Sequence, residues 1–297
     1  MKPLAYAALV LSGLLWGVGF PLGKLALREI DAAHMVTLRL VFAGLAATPF
    51  ALRRRETRAL FAHPWVLGGG VLFALAFLVQ FEGLARINVS LAALLVGAMP
   101  ALIAVASRLA GDRVSRLSWA GVAAATAGAV LIGARPGAGG SPLGVALSVT
   151  ALFLFLAWLM SLRRAPSPPT PTAMPAVTMI IAAAVLVPLS LALHGAPRLE
   201  LSARAWAAIA AQGVLCTLLA TAAWQFGAAQ VGAATAGVFL NLEPLVGMIL
   251  GVTLFGDPLP LTLAAGGCAI IAGSVLVVMG ERDQGRIAAE TAEVMAG

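Results

Sequence analysis

Two charged side chains, Arg39 and Glu243, lie in the middle of long apolar segments, where their chemistry needs an explanation. On insertion scales, a charge at the centre of a membrane helix costs roughly 2.5–3.5 kcal/mol. Arg39 could bond a carboxylate or a helix end, or it could contact a solute. Glu243 could satisfy the amides of a neighbouring helix, bind a solute, or titrate. The sequence leaves these alternatives open.

Uncharged amides and aromatic rings form a second group of polar or bulky residues inside apolar segments. Gln80, Gln225 and Asn241 could join helices through hydrogen bonds or bind the polar groups of a solute. Rings within apolar segments could pack, face lipid, or line a cavity suited to a flat, partly apolar molecule. The residues that we expect to line such a cavity are Trp16, Phe20, Phe77, Gln80, Phe81, Trp158, Trp224, Gln225, Asn241 and Glu243.

Prolines mark two of these segments. Pro244 follows Glu243 directly, and Pro100 occupies the corresponding place earlier in the chain. A proline inside a helix removes one backbone hydrogen bond and permits a kink. We expect Arg39, Pro100 and Pro244 to have structural or coupling roles.

Other chemistries have no support in the sequence. Cys216 and Cys268 both fall within apolar segments, and the three histidines are isolated near loops. The sequence has no metal-ligand cluster, nucleophile elbow or phosphate-binding loop. We therefore expect no catalytic residue, no metal and no cofactor, and the chain is not predicted to be an enzyme.

The composition indicates a membrane protein. The chain has 297 residues, of which 61% are hydrophobic and 10% charged, and its mean hydropathy is +0.99. Ten apolar segments have about the length that a helix needs to cross a bilayer. These segments are Leu4–Leu22, Ala33–Ala51, Trp65–Ala85, Val89–Leu109, Leu117–Ala134, Pro142–Leu162, Ala173–Leu193, Ala205–Ala229, Ala233–Phe255 and Leu259–Met279.

The two halves of the sequence repeat one another. When Pro100 is placed on Pro244, Gly111-Asp112 falls on Gly256-Asp257 after one inserted residue, and Gly121 falls on Gly266. Five segments per half is an odd number, so the second half must cross the membrane in the opposite sense. We therefore predict an all-α polytopic membrane protein whose ten transmembrane helices form a five-plus-five inverted repeat. The predicted units are residues 1–136, a Gly/Pro-rich linker at 137–141, residues 142–280, and a tail at 281–297.

The net charge of +7 is explained by loop residues that set orientation, and it does not indicate nucleic-acid binding. Twelve basic residues fall on the side that holds both termini, and six fall on the other side. We expect both termini to be cytoplasmic. Asp112 and Asp257 each follow a glycine at the point where the chain is expected to leave the membrane. We expect their carboxylates to cap the following helix or to pair with loop arginines, and not to bind substrate.

Three motifs resemble the drug/metabolite transporter superfamily, in its EamA-domain branch. They are Leu14-Leu15-Trp16-Gly17-Val18-Gly19-Phe20, Thr37-Leu38-Arg39-Leu40-Val41-Phe42-Ala43 and Leu242-Glu243-Pro244-Leu245. The resemblance covers residues 4–280 and implies a secondary transporter in the bacterial inner membrane. By resemblance to the family's amino-acid exporters, we expect export of amino acids, aromatic or otherwise neutral, and of related metabolites.

Other functions remain as alternatives. Multidrug or toxic-compound efflux is the nearest one, and a channel or lipid scramblase belongs to a different class. A membrane-embedded enzyme is disfavoured because the loops are short and no His–acid pair is visible. The expected partners are a small-molecule solute and the lipid bilayer, and the choice between monomer and homodimer stays open.

Overall fold

The computed structural model describes residues 2–111, 113–133, 140–231 and 236–296. Within these ranges the chain is helical, and its one β-type contact is an isolated bridge between Ile87 and Gly140. The all-α polytopic fold is therefore confirmed. The helices are α1 (Lys2–Ala26), α2 (Ala32–Leu52), α3 (Arg55–Ala59), α4 (Pro64–Arg86), α5 (Val89–Val96), α6 (Met99–Leu109), α7 (Arg116–Gly133), α8 (Pro142–Leu162), α9 (Ala173–His194), α10 (Ala203–Gly213), α11 (Ala220–Val231), α12 (Leu242–Phe255) and α13 (Leu261–Ala296).

Nine stretches of the described residues are long and apolar enough to cross a membrane. They match nine of the ten predicted segments. The remaining segment was predicted as Leu117–Ala134. Its described part lies in α7, which ends at Gly133, and residues 134–139 lie outside the described residues. Asp112 and most of the linker at 137–141 also lie outside them. The total of ten spans stays a prediction.

Three of the spans contain a local break in α-helical geometry. The fourth span divides into α5 and α6 at Gly97 and Ala98. In the ninth span, a 3₁₀ turn at Val238–Asn241 leads into α12. The eighth span contains a π-helical segment, Val214–Leu219, between α10 and α11. Such segments free backbone groups that side chains can bond, and they are frequent at functional sites.

Helices from the two halves pack as equivalent pairs. The second span of each half, α2 and α9, pack on one another, and so do α7 and α13. The broken spans also meet, since α5 packs against α12. Each of these pairs joins a helix to its counterpart in the other half. This is the contact pattern expected of two related five-helix units facing each other across an approximate two-fold axis.

Glycines in the first span bring α1 unusually close to α12. A Cβ atom added to Gly17 would lie 2.6 Å from Cβ of Val246, and one added to Gly13 would lie 2.7 Å from Cβ of Leu242. No side chain larger than hydrogen fits at either position without displacing α12. Van der Waals contact between small residues is the main force that holds helices together in lipid, so this contact fixes α12 on α1.

Candidate functional site

A cavity of about 690 Å³ lies between the two halves. Side chains from both five-helix units line it, including residues of α1, α4, α6, α8, α11, α12 and α13. The size falls within the range of small-molecule sites, which is roughly 300–1,000 Å³. All ten residues predicted to line a cavity do line it, and Arg39 and Pro100 line it too. Pro244 is buried in the first turn of α12 and is not among the lining residues.

One wall of the cavity is a cluster of four aromatic rings on α4 and α8. The ring of Phe73 lies 4.7 Å from that of Phe77 and 4.8 Å from that of Trp158, centroid to centroid. Phe77 and Phe155 meet edge to face at 5.1 Å. These separations and angles are the ones that aromatic pairs prefer. Phe73 was not predicted, although it lies four residues before Phe77 and therefore on the same helix face.

A second pair of rings lies on the helices that correspond to α8 and α4 in the other half. Trp16 of α1 and Trp224 of α11 have centroids 5.5 Å apart. In the alignment of the halves, Phe155 occupies the place of Trp16. Both halves thus bring rings from equivalent spans to the cavity.

Polar groups lie among these rings. Asn241 is buried at the end of the 3₁₀ turn, where its Nδ2 donates to the carbonyl of Val238 at 3.1 Å. Its Oδ1 and the indole nitrogen of Trp158 have no hydrogen-bond partner among the described residues. The same holds for the hydroxyl of Ser274, which also lines the cavity. Buried polar atoms are nearly always bonded, so unsatisfied ones around a cavity favour a ligand that supplies the partner.

The two intramembrane charges both reach this cavity, where they act on one another electrostatically but form no ion pair within 4.0 Å in the described part of the chain. Elsewhere in the described part, Glu82 and Arg86 form an ion pair, and the imidazole of His34 lies against the carboxylate of Asp31. Arg39 is 3% exposed and lies over two rings of α4. Glu243, in the first turn of α12, is half-buried and has no basic group within 4.0 Å among the described residues.

Comparison with known proteins identifies the family. The model of the EamA-like transporter family matches residues 3–134 and, a second time, residues 142–279. The chain belongs to the EamA-like transporter family. It is therefore a membrane transporter of small solutes.

Individual relatives extend this result. The chain is 29% identical over 250 residues to a Pseudomonas aeruginosa protein described as uncharacterised, covering 84% of this chain and 85% of that protein. It is 26% identical over 275 residues to a probable biotin transporter of the same organism, covering 91% of this chain and 96% of the relative. A solved crystal structure matches with a TM-score of 0.65 at 21% identity and covers 95% of this chain and 99% of its own, which supports the fold.

The cavity of this EamA-like transporter extends to one end of the bundle. Ser107, Arg163 and Glu281, at the ends of α6, α8 and the apolar part of α13, line it there. Arg163 is exposed, so the cavity reaches the surface at this end, which we name the open end. Phe20, Val96 and Gly97 also line the cavity.

At the opposite end of the transporter, which we name the closed end, hydrogen bonds join the two halves. Both carboxylate oxygens of Glu29 accept bonds of 2.7 Å from the backbone N–H and hydroxyl of Ser202. These bonds hold the pKa of Glu29 below its ordinary value. Asp257 Oδ2 accepts from the backbone N–H and hydroxyl of Ser90, at 2.8 and 2.9 Å.

The side chains of His34 and Lys24 make further contacts at the closed end. Nε2 of His34 lies 3.0 Å from the carbonyl of Gly195, and its Nδ1 lies 2.6 Å from Asp31. Burial raises the pKa of Asp31, but the hydrogen bonds from His34 outweigh burial and leave the pKa below its ordinary value. Within the first half, Lys24 Nζ donates to the carbonyls of Leu84 and Ile87, each at 2.7 Å. The ammonium group thereby satisfies carbonyls at the end of α4.

The expectation for Asp257 was correct about its place and wrong about its partner. It lies where α12 leaves the membrane, but it bonds the first turn of α5 in the other half instead of the next helix or an arginine. Capping across the two halves needs the three-dimensional pairing of α5 with α12. Sequence neighbours alone do not reveal that pairing.

Proposed function

We propose that this transporter is a secondary carrier that exports aromatic and other neutral amino acids, and related metabolites, across the bacterial inner membrane by alternating access. The observation that carries the proposal is the cavity between the halves, which combines an aromatic wall with unsatisfied polar atoms. Inverted-repeat carriers place their solute at this interface and open it alternately to either side.

The composition of the cavity favours a flat solute with polar groups. Stacking on a ring contributes about 0.5–1.5 kcal/mol beyond area burial, so two or three rings discriminate measurably between aromatic and aliphatic solutes. Asn241 Oδ1 can accept a hydrogen bond and the indole N–H of Trp158 can donate one. An aromatic amino acid offers a ring, donors and acceptors in one molecule.

The direction of export rests on the proposed orientation. The open end carries Arg113 and Arg163, which belong to the side with twelve basic residues and both termini. If that side is cytoplasmic, the cavity loads from the cytoplasm. Reporter fusions at Gly297 and within residues 53–63 test the orientation, and a periplasmic signal from either one contradicts it.

Biotin is the second candidate substrate. A relative of nearly full length is named a probable biotin transporter. Biotin also combines a fused ring system with polar groups, and it is small enough for a cavity of about 690 Å³. Multidrug efflux and a lipid scramblase are further alternatives, and the same experiment separates a carrier from a channel.

The experiment is counterflow in proteoliposomes that contain the purified full-length chain. Labelled tryptophan, phenylalanine, leucine and biotin are compared at equal concentration. We expect saturable counterflow with tryptophan and phenylalanine above leucine. Uptake of biotin alone would favour the second candidate, and flux without saturation or counterflow would indicate a channel.

A further inference from the structure

Arg39 occupies a defined place in the cavity wall. Its guanidinium carbon lies 4.1 Å from the ring centroid of Phe77 and 4.9 Å from that of Phe81. Its Nε donates a hydrogen bond of 2.7 Å to the hydroxyl of Thr217. The guanidinium thus lies over two rings of α4 and donates one of its N–H groups to Thr217. These contacts fix the orientation of its plane.

The π-helical segment of the eighth span holds Thr217 in that place. The hydroxyl of Thr217 donates to the carbonyl of Gln212, five residues earlier, at 2.7 Å. It therefore presents a lone pair to Arg39. A Cβ atom added to Gly213 would lie 2.8 Å from Cβ of Phe42, so α10 packs closely on α2 just beside Arg39. The segment thus aims the guanidinium toward the cavity.

The guanidinium of Arg39 forms no close ion pair in the described ranges, and the carboxylate of Glu243, which lines the same cavity, acts on its charge only from a greater distance. No carboxylate oxygen there lies within 4.0 Å of the guanidinium. An arginine keeps its proton in proteins, so the charge cannot be relieved by deprotonation. Two aromatic faces attract a cation, but they accept no planar pair of N–H bonds. The guanidinium has five N–H donors, of which Thr217 takes one.

We propose that Arg39 binds the carboxylate of the transported solute, so that the cavity selects organic acids over amines and alcohols that carry the same ring. A carboxylate matches the forked geometry of a guanidinium and forms shorter, stronger hydrogen bonds than a neutral acceptor does. Phe77 and Phe81 lie against the guanidinium, so a ring attached to the carboxylate meets the aromatic wall. This inference rests on the proposed function, because it assumes that the cavity is the solute site.

The alternative is that Arg39 only joins α2 to α4 and to the eighth span. In that case its loss changes stability and lowers the binding of every solute alike. Selectivity between an acid and the matching alcohol separates the two roles, because a purely structural residue does not alter the ratio.

The experiment uses the purified full-length protein in detergent and four indole probes with one ring system: tryptophan, indole-3-propionic acid, indole-3-propanol and tryptamine. Dissociation constants are measured by isothermal titration calorimetry. We expect both carboxylates to bind about 10- to 100-fold more tightly than the alcohol and the amine, as for a hydrogen-bonded charge. Equal binding of acid and alcohol, or no binding of either acid, overturns the proposal.

Variants link this preference to Arg39. In Arg39→Gln, acid and alcohol should bind alike, whereas Arg39→Lys should keep a reduced preference because it retains charge without the fork. The matched control is Arg164→Gln, which removes an exposed arginine that lies 4.7 Å over the ring of Trp65 outside the cavity. The control should leave the ratio unchanged. If Arg39→Gln does not fold, Arg39→Lys and the probe pair on the unmodified protein still decide the matter.

The two proposals fail separately. If binding is acid-selective and depends on Arg39 but no amino acid shows counterflow, the proposed substrates are rejected and the carboxylate-binding role of Arg39 is retained. If tryptophan shows counterflow but Arg39→Gln leaves the ratio of the acid and alcohol dissociation constants unchanged, the carboxylate-binding role of Arg39 is rejected and the proposed substrates are retained.

Discussion

The two ends of the bundle hold the halves of the chain together in different ways. At the closed end, Glu29, His34 and Asp257 each form hydrogen bonds between the halves. At the open end, the cavity separates α6 from α8, and Arg163 reaches Ser107 there at the long distance of 3.5 Å. In a carrier that alternates, the closed-end bonds are the ones that must break.

The contacts at the closed end differ from those between α1 and α12 in how readily they can be broken. At the closed end, the bonds between Glu29 and Ser202 are exposed, and exposed hydrogen bonds contribute little net free energy because water replaces them. The bonds of His34 and Asp257 are partly buried, so breaking them costs more. The α1–α12 contact is different, since glycines at Gly13 and Gly17 leave no space for movement. We therefore expect the polar contacts to open while α1 and α12 move together.

Linking the closed end covalently should have the largest effect. Cysteines replace Glu29 and Ser202, whose exposed side chains are hydrogen-bonded at 2.7 Å, in a chain without Cys216 and Cys268. A short bis-maleimide should then lower counterflow at least about tenfold, because the second side can no longer open. Each single cysteine treated in the same way is the control. Full activity after complete cross-linking would show that this end does not need to open.

Shortening the aromatic wall should have the next largest effect. Trp158→Ala removes ring contacts worth about 0.5–1.5 kcal/mol beyond burial, so tryptophan counterflow should fall roughly 3- to 10-fold at equal protein in the membrane. Asn241→Ala should act in the same direction through the lost amide. Phe153→Ala, on the same helix but 54% exposed, is the matched control. Normal counterflow in both cavity variants would mean that these residues only pack.

Weakening the bond across α5 and α12 should have a smaller effect. In Asp257→Asn the amide oxygen can still accept both hydrogen bonds from Ser90, but it carries no charge, so the loss is about 1 kcal/mol and the closed end should open about fivefold more often. We expect faster counterflow with an unchanged ratio of tryptophan to leucine. Ser90→Ala keeps the backbone bond and should change the rate less. An altered ratio between the substrates would place Asp257 in solute recognition.

Lowering the pH should have the smallest effect, because it weakens only the hydrogen bonds that Glu29 accepts from Ser202 at the closed end. Two hydrogen bonds from Ser202 lower the pKa of Glu29 from its ordinary value of 4.5. The stabilising effect is therefore fully present above the ordinary pKa and is lost as the pH falls through the lowered one. The difference in thermal midpoint between the unmodified protein and Glu29→Gln should stay constant from pH 5 to 8 and disappear in stronger acid, measured by fluorescence. A difference that varies with pH around neutrality would contradict this assignment.

The membrane architecture could be predicted because it depends on local composition. Apolar length, the proline and glycine landmarks and the odd number of segments per half led to helices, repeat and opposite sense. The cavity lining could be predicted as well, since residues that are costly in lipid face the interface between the halves. Whether those residues bind solute stays a prediction.

Contacts between distant parts of the chain could not be predicted. The sequence gives no sign that Asp257 meets Ser90 or that Thr217 meets Arg39, because each bond depends on how spans pack across the two halves. The π-helical segment at 214–219 has no proline or glycine within it to mark it. The segment packs against α1 and α2, which are distant from it in the sequence.

The glycines of α1 make the two halves unequal in a way that limits symmetry. The offset that places Trp16 on Phe155 places Gly13 and Gly17 on Leu152 and Leu156 of α8. The side chains of two leucines on α8 prevent the fourth span from packing as closely on α8 as the ninth span packs on the two glycines of α1. If this transporter alternates, exchanging the conformations of the two repeats would therefore not reproduce the close α1–α12 contact at α8, and we expect the two states to differ in free energy.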